Sequence, residues 1–271
     1  MKPNHPKIMG ILNVTPDSFS DGGQASSVDA ALARAREMAE QGADIIDIGG
    51  ESTRPGADIV SPADELARVL PVVTAVYAAN LGVDISIDTR RADVAKACVK
   101  AGASIWNDVS ALTHDSDSIA VAARLGCPVV LMHMKGSPKS MQDGPEYKNV
   151  TAEVSAFLKA RVQAAIEGGV DPANIILDPG IGFGKRLQDN LDLLAKLDDF
   201  HALGCPVLIG TSRKSFIGKI DSSAVGERLG GSIASALWAT SVGASYLRVH
   251  DVGETVQAVK VWQAIRERDD G

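Results

Sequence analysis

The sequence predicts an α/β protein built as a (β/α)8 TIM barrel, and three observations support this fold class. Short apolar runs recur along the 271 residues, and each is followed by a stretch of helical character. A glycine ends almost every helical stretch before the next apolar run. Every apolar run finishes in residues that hydrogen-bond or carry charge, as expected at the C-terminal mouth of a parallel barrel. A doubly wound open sheet is the alternative arrangement.

The predicted strands are mostly continuous apolar runs, which is typical of parallel strands covered on both faces. They span residues 7–13, 44–49, 84–88, 104–109, 128–133, 175–178, 206–211 and 245–250. Helices are predicted near residues 28–41, 62–80, 91–101, 116–125, 151–168, 188–203, 226–243 and 254–267. Ser61 and Pro62 predict a helix start, because serine caps the first turn and proline suits the first helical position.

Glycine just after a helix accepts the left-handed conformation that turns the chain back towards the sheet. The predicted returns are Gly42, Gly82, Gly102, Gly126, Gly168–Gly169, Gly204 and Gly243. No low-complexity segment or change of composition divides the chain, so we expect one domain over residues 1–271.

Composition excludes several classes of function. The net charge is −7 and no run of Lys and Arg occurs, which argues against a nucleic-acid partner. No apolar run reaches the roughly 18 residues of a membrane span, and the N-terminus lacks a signal peptide, so we expect a cytoplasmic protein. The cysteines Cys98, Cys127 and Cys205 lie far apart, which favours buried thiols over a disulfide framework or a zinc cluster.

The most informative stretch runs from Ile175 to Lys185. It is a short apolar strand that ends at Asp178, followed by Pro179 and by glycines at every second position. This pattern predicts a carboxylate at a strand tip beside a loop whose backbone approaches a ligand. The spacing fits neither a phosphate-binding P-loop nor a dinucleotide fingerprint. A solvated turn after a core strand is the alternative interpretation.

The strand tips carry a convergent set of polar residues, which are Asn13, Glu51, Asp88, Asn107, Asp108, His133, Asp178, Lys214, Arg248 and His250. In a barrel these tips meet at one mouth. Two alternatives stay open, since Asp108 with Ser110 is also suited to cap the next segment, and His133 to be a satisfied histidine near the core.

The residue types indicate part of the chemistry. The donors and acceptors of Asp88, Asn107, Asp178 and Lys214 suit a flat, nitrogen-rich ring, because a carboxylate accepts two charge-assisted bonds from a ring N–H and an exocyclic amine. The amide of Asn13 with the donors of Arg248 and His250 suits a phosphate or diphosphate carrying Mg²⁺.

Two long loops, 15–23 and 52–57, are rich in glycine and proline and predict lids that carry function. Phe19 supports this interpretation, because an aromatic in a polar loop needs something to cover. Ordinary surface loops are the alternative.

Taken together, these motifs resemble those of the bacterial dihydropteroate synthases, within the pterin-binding family. The matching blocks keep their order from residue 8 to about residue 262, namely 10–23, 47–56, 86–89, 107–110, 133–136, 178–185, 210–218 and 248–250. Small departures are Arg90 and Arg91, where an aromatic or Lys is common, and Ala111, where Gly is common.

The resemblance implies a transferase of folate biosynthesis that joins 6-hydroxymethyl-7,8-dihydropterin diphosphate to p-aminobenzoate. It implies catalytic roles for Asp88, Asp178, Lys214, Arg248 and His250. It implies that Asp88, Asn107, Asp178 and Lys214 bind the pterin, that Asn13 ligates Mg²⁺, and that Asp21 orders the first lid. Contacts to the aminobenzoate, a seat that sulfonamides share, are implied for Phe19, Thr53, Arg54, Pro55, Phe183 and Ser215, and Lys185 is expected among the substrate-binding residues. A helix N-terminus near Ser215 is expected to receive its carboxylate. A homodimer is also implied.

Two rival functions are a pterin-dependent methyltransferase and a catalytically silent pterin-binding paralogue. The first does not need the loops at 52–57 and 212–215 or the Arg248/His250 pair. The second is expected to have lost some of the residues that stand here.

Overall fold

A computed structural model describes residues 5–15, 23–51, 60–136 and 144–269. Its strands are β1 (Lys7–Asn13), β2 (Ile45–Gly49), β3 (Asp84–Asp88), β4 (Ile105–Asp108), β5 (Val129–Met132), β6 (Ile175–Asp178), β7 (Leu208–Ile209) and β8 (Tyr246–Val249). The α-helices of these residues are α1 (Gly23–Glu40), α2 (Pro62–Ala78), α3 (Ala92–Lys100), α4 (Ser118–Leu125), α5 (Val150–Glu167), α6 (Leu187–Ala195), α7 (Ser215–Asp221), α8 (Leu229–Ser241) and α9 (Val252–Asp269).

The eight strands are parallel and close into a barrel. Their hydrogen-bonded order is β6-β5-β4-β3-β2-β1-β8-β7, and an isolated parallel bridge between Leu177 and Val207 joins β6 to β7. The barrel prediction is therefore confirmed, and the open-sheet alternative is wrong because both edge strands are paired with each other.

Glycines make the predicted returns from helix to strand. Positive φ occurs at Gly42, Gly82, Gly102, Gly126, Gly169, Gly204 and Gly243. Gly102 shows the requirement clearly, because a Cβ there would lie 2.2 Å from Cγ of Tyr77 on α2. The left-handed glycine of the pair at 168–169 is Gly169, whereas Gly168 has a φ of −81°.

The core has two layers. Met9, Ile45, Ile105, Val130, Ile176 and Leu208 fill the inside of the barrel. A larger set of aliphatic residues packs the helices onto the outer face of the strands. The inner layer forms an apolar floor beneath the barrel mouth.

The ends of the predicted helices are shifted by a few residues, most at α1, which begins at Gly23, and two differences are larger. The helix predicted over 188–203 ends at Ala195 and continues as a 3₁₀ helix, Leu197–Leu203. Leu197 and Phe200 are both buried and stand three residues apart, a spacing that suits three residues per turn. An added short helix, α7, begins at Ser215 as the resemblance implied, and buries Phe216 and Ile217.

Among the described residues, none of the helices has both the length and the apolar character needed to cross a membrane.

Candidate active site at the barrel mouth

The polar residues of the mouth follow from strand periodicity. Successive side chains of a strand point to opposite faces, so a residue two places after an inward one also points inward. Ile45, Ile105 and Ile176 belong to the inner layer, which places Asp47, Asn107 and Asp178 directly above the floor. Parallel register then aligns the strand ends, with Asp88 beside Asn107 and Met132 beside Asp178. Asn13 ends β1 opposite Gly49.

Arg248 links the acids of one side of the mouth. Its Nε donates to Oδ2 of Asp47 and its Nη2 donates to Oδ2 of Asp88, each at 2.6 Å. Nδ2 of Asn107 donates to the same Asp47 oxygen at 3.2 Å. Asp47 is fully buried, whereas the Arg248 side chain keeps 19% of its surface exposed. The guanidinium therefore bridges buried carboxylates while facing the mouth.

The charges of this cluster are strongly coupled. Burial is the main cause that raises the pKa of Asp88, to about 7; the carboxylates of Asp47, Glu65 and Asp108 add to the shift, and the charge of Arg248 opposes it. Burial alone would lower the pKa of Arg248, but Asp47 and Asp88 hold it above its ordinary value. Arg248 therefore stays charged, and Asp88, which it contacts, has a pKa near neutrality.

Asp178 is held by the backbone of the glycine loop that follows it. Its Oδ1 accepts a 2.7 Å hydrogen bond from the backbone N–H of Gly180. Gly180, Gly182 and Gly184 all have positive φ, and a Cβ on Gly180 would lie 1.9 Å from the carbonyl oxygen of His133. Burial raises the pKa of Asp178, while the charge of Lys214 opposes that shift most strongly. The prediction of a carboxylate at a strand tip beside the glycine loop is therefore confirmed, whereas the approach of that loop's backbone to a ligand stays a prediction.

Two lysines flank this loop in different ways. Nζ of Lys214 donates to the carbonyl of Ile181 and lies 4.6 Å from the ring centroid of Phe183. Burial lowers its pKa to about 8, and Asp178 opposes that shift. Lys185 is only 1% exposed and donates to the carbonyls of His133 and Phe183 at 3.2 and 3.0 Å. Lys214 thus faces the mouth, whereas Lys185 ties the loop to β5 from behind; its substrate contact stays a prediction.

His133 is a satisfied buried histidine, which was one of the alternatives. Its Nδ1 lies 3.0 Å from Nζ of Lys185 and its ring meets Phe157 edge-on. Burial and the charge of Lys185 lower its pKa to about 3, so the ring is neutral. Burial likewise lowers the pKa of Lys185 to about 7.

Asp108 is a cap, as the other alternative held. Its Oδ1 accepts from the N–H and hydroxyl of Ser110, and its Oδ2 accepts from the N–H of Leu112. Ala111 and Leu112 have φ values of +54° and +60°. The left-handed backbone explains physically why glycine suits position 111.

His250 lies at the end of β8 against the loop after β7. Its backbone N–H donates to Oγ of Ser212 at 3.2 Å, and its Nδ1 lies 3.0 Å from the same oxygen. Because that Oγ already accepts from the backbone, its hydroxyl is placed to donate to Nδ1, which leaves the proton of a neutral ring on Nε2. Arg34 of α1 donates to the His250 carbonyl at 3.3 Å.

The lid residues Phe19, Asp21, Thr53, Arg54 and Pro55 lie outside the described residues. Both flanks of the second lid are described, and one ionic cluster holds them together. Glu51 accepts from the N–H of Val60 at 3.2 Å and from Arg90 and Arg91 at 3.1 and 3.2 Å. Arg91 also pairs with the buried Glu65 and donates to the carbonyl of Val60. The two arginines that depart from the family pattern therefore close the base of this loop.

Sequence reasoning assigned no role to Asp47 or to the Arg91–Glu65 pair. Asp47 did leave a signal, because it is a single acid inside the otherwise apolar strand Ile45–Gly49. The Arg91–Glu65 pair left none, since its members are joined only through the packing of α2 against the start of α3.

No group of three or more His, Cys, Asp or Glu in the described ranges is placed to hold a metal ion by itself.

Comparison with known proteins gives a consistent result. The family described as pterin binding enzyme matches residues 9–250. The dihydropteroate synthase of Escherichia coli is 48% identical over 261 residues, covering 96% of this chain and 92% of the relative. That of Haemophilus influenzae is 49% identical over 259 residues, covering 96% and 94%.

Solved structures agree with the sequence relatives. The Xanthomonas albilineans dihydropteroate synthase with 4-aminobenzoic acid superimposes with a TM-score of 0.91 at 48% identity, covering 97% of this chain and 94% of that one. The same enzyme in complex with 7,8-dihydropteroate gives 0.88 at 44% identity, covering 98% and 95%. A sulfonamide complex of the Yersinia pestis enzyme gives 0.92 at 44% identity, covering 98% and 96%.

Proposed function

The chain belongs to the pterin-binding enzyme family, and from that premise we propose how its barrel mouth works. It is a transferase of folate biosynthesis with the dihydropteroate synthase reaction. It joins 6-hydroxymethyl-7,8-dihydropterin diphosphate to p-aminobenzoate and releases 7,8-dihydropteroate and diphosphate. The main support for this function is the group of acidic and basic side chains that converge at the strand tips of the barrel mouth. The chain also matches its dihydropteroate synthase relatives over nearly its whole length.

The pterin seat uses Asp88, Asn107, Asp178 and Lys214. Gly180 occupies Oδ1 of Asp178, so Oδ2 remains for the ring N–H and amine of the pterin. Asn107 gives its amide N–H to Asp47 and so offers its carbonyl oxygen to the ligand. A seat of this kind rejects rings that lack the matching donors, because its buried acceptors would be left unpaired.

The p-aminobenzoate seat lies towards the glycine loop and the start of α7. Phe183 is half-buried beside Lys214, and Ser215 begins α7. We expect Phe19, Thr53, Arg54 and Pro55 to complete this seat from the lids. Sulfonamides are expected to compete for the same seat, since a sulfonamide drug is bound in the Yersinia pestis relative.

The diphosphate is placed at Asn13, Arg248 and His250. The amide oxygen of Asn13 fits a Mg²⁺ ion that arrives with the diphosphate, whose own oxygens supply most of its ligands. When bound, that ion would neutralise charge on the leaving group. Arg248 and the Nε2–H of His250 would donate to the diphosphate oxygens.

The mechanism is dissociative. The C–O bond to the diphosphate breaks with its electron pair leaving on oxygen, and Arg248 and His250 stabilise that charge. Asp88 and Asp178 stabilise the cation left on the pterin methylene. The neutral aniline nitrogen then forms the new C–N bond and releases a proton. No covalent enzyme intermediate is required, and Asp21 would order the first lid over the bound diphosphate.

The assembly proposed is a homodimer, formed through the face of α6, α7 and α8. Ile220 and Trp238 expose 61% and 49% of their surface there, beside a largely apolar cavity of about 470 Å³. Apolar exposure of this kind marks an interaction surface. In sedimentation experiments Trp238→Glu should be a monomer, and a monomeric wild type would refute the proposed dimer.

The cytoplasmic location and the one-domain organisation stay predictions.

The decisive experiment measures diphosphate release with both substrates and Mg²⁺, with and without p-aminobenzoate. Release that depends on p-aminobenzoate, with dihydropteroate identified by mass, is the expected result. A silent paralogue would bind pterin without release, and a methyltransferase would show no dependence on p-aminobenzoate.

A further inference from the structure

We infer that Asp47 is a positioning residue that aims Asn107 and Arg248 at the pterin diphosphate. The inference rests on the proposed function for the roles of those two partners. Asp47 was not among the strand-tip residues to which the sequence analysis gave a role, because it lies two residues before the end of β2.

The geometry makes Asp47 a junction between strands. Its Oδ2 accepts from Nε of Arg248 at 2.6 Å and from Nδ2 of Asn107 at 3.2 Å. The partners stand on β8 and β4, 201 and 60 residues away in the chain. One carboxylate oxygen therefore fixes two side chains that come from separate parts of the barrel wall.

The bond to Asn107 decides which end of its amide faces the ligand. If the amide were flipped, its oxygen would face the Asp47 carboxylate, and two acceptors would repel each other. Asp47 thereby holds Asn107 as an acceptor for ring N–H groups. The selectivity of the site for the pterin ring therefore depends in part on Asp47, which lies beneath the ring.

The bond to Arg248 gives the guanidinium a fixed pivot. Nε is anchored on Asp47, while Nη2 reaches Asp88. The outer end of the guanidinium is thus able to exchange Asp88 for a diphosphate oxygen while its plane stays anchored. That exchange would release the Asp88 oxygen for the pterin as the diphosphate binds.

The second oxygen of Asp47 supports a functional rather than a purely structural role. Oδ1 is buried and has no hydrogen-bond partner among the described residues. A buried unpaired carboxylate oxygen carries a desolvation cost, so burial of an acid here is not explained by stability alone. Burial has the largest effect on the pKa of Asp88 and raises it, and the negative charge of Asp47 raises it as well, whereas Arg248 lowers it.

The test compares Asp47→Asn with the control Ser86→Ala. Ser86 lies beside Asp47 in register on β3, and its buried hydroxyl has no partner in the described part of the chain. In Asp47→Asn we expect KM for the pterin diphosphate to rise at least about tenfold, with KM for p-aminobenzoate within about twofold of wild type. We expect Ser86→Ala to keep both constants.

The pH dependence separates positioning from a merely structural role. Removing the like charge of Asp47 lowers the pKa of Asp88, and an Arg248 released from Asp47 lowers it further. Glu65 and Asp108, which also face Asp88, are unchanged. The acid limb of kcat/KM should therefore move to lower pH in Asp47→Asn. The inference would be overturned if Asp47→Asn lowered the thermal stability but left both the acid limb of the kcat/KM pH profile and the KM for the pterin diphosphate unchanged.

If Asp47→Asn does not fold, Asp47→Glu gives the second test. It keeps the charge but shifts the carboxylate by one methylene, so the pterin KM should rise while the acid limb stays in place. An unchanged pterin KM in this variant would also overturn the inference. Failure of wild type to release diphosphate would instead overturn the proposed function.

Discussion

The two sides of the barrel mouth hold their charges by different means. On the carboxylate side, formed by Asp47, Asp88, Asn107 and Arg248, side chains from four strands bind one another directly. On the glycine-loop side, formed by Asp178, Gly180–Lys185 and Lys214, the charged groups bind mainly the backbone of one loop. The first side is a network of side chains, and the second is a cage of peptide groups.

This difference predicts which substitutions will disrupt the hydrogen bonds of each side. A network of side chains is sensitive to the replacement of an acid by its amide, because each partner then loses a charge-assisted bond. A cage of peptide groups tolerates few changes of backbone conformation, because its donors and acceptors are placed by left-handed glycines.

The largest effect is expected for Lys214→Ala. Lys214 contacts the Ile181 carbonyl and the Phe183 ring and acts electrostatically on Asp178, so its loss should damage both substrate seats. We expect kcat/KM to fall at least about a hundredfold for each substrate, or about 2.7 kcal/mol. The control is Lys219→Ala, an exposed lysine on α7. Steady-state kinetics that match wild type would show that the role of the loop after β7 is misplaced.

Gly180→Ala should break the peptide cage. The added Cβ meets the His133 carbonyl at 1.9 Å and the residue must keep a φ of +69°. We expect the free energy of unfolding to fall by roughly 2–3 kcal/mol and pterin binding to weaken, because the N–H that holds Asp178 is displaced. Gly204→Ala is the matched control, since its φ is +77° but nothing lies within 4 Å of its Cβ. Equal losses of unfolding free energy in the two variants, measured by denaturant unfolding, would contradict the proposed role of the Gly180 backbone.

Asp178→Asn should weaken pterin binding without breaking the loop. The amide oxygen is still able to accept from Gly180, but the charge that attracts the ring N–H and amine is gone. We expect pterin affinity to fall by more than about 1.4 kcal/mol, or tenfold, in calorimetry. The free energy of unfolding should change less than in Gly180→Ala. An unchanged pterin affinity would count directly against the assigned seat.

The smallest effect concerns pH and involves both sides. Asp88 has a pKa raised to about 7 and must be ionised to accept charge-assisted hydrogen bonds from the pterin, so kcat/KM for the pterin diphosphate should fall as pH drops through about 7. Lys214 has a pKa lowered to about 8, so kcat/KM should fall again as pH rises through about 8. The groups acting on Lys214 are Asp178 and Arg248. A rate that is flat from about pH 6 to 9 would contradict this pair of titrations.

Much of the architecture was predictable from neighbouring residues in the chain. Apolar runs, glycine returns and the serine–proline helix start are local signals, and the structure follows them closely: Ser61 caps α2 by accepting from the N–H of Asp64. The helix predicted over 188–203 ends at Ala195, and a 3₁₀ helix follows it. The prediction ran on because buried apolar residues three apart, such as Leu197 and Phe200, suit both an α-helix and a 3₁₀ helix.

The sequence by itself determined that eight strands end in polar residues, because strand period and parallel order place every strand tip at one mouth. Only the tertiary structure decided which of those residues bind one another. The Asp47–Arg248 bond spans 201 residues, and Lys185 turns into the protein rather than towards the mouth. Such pairings depend on barrel closure and on left-handed loop geometry, which act between residues that are distant in the chain.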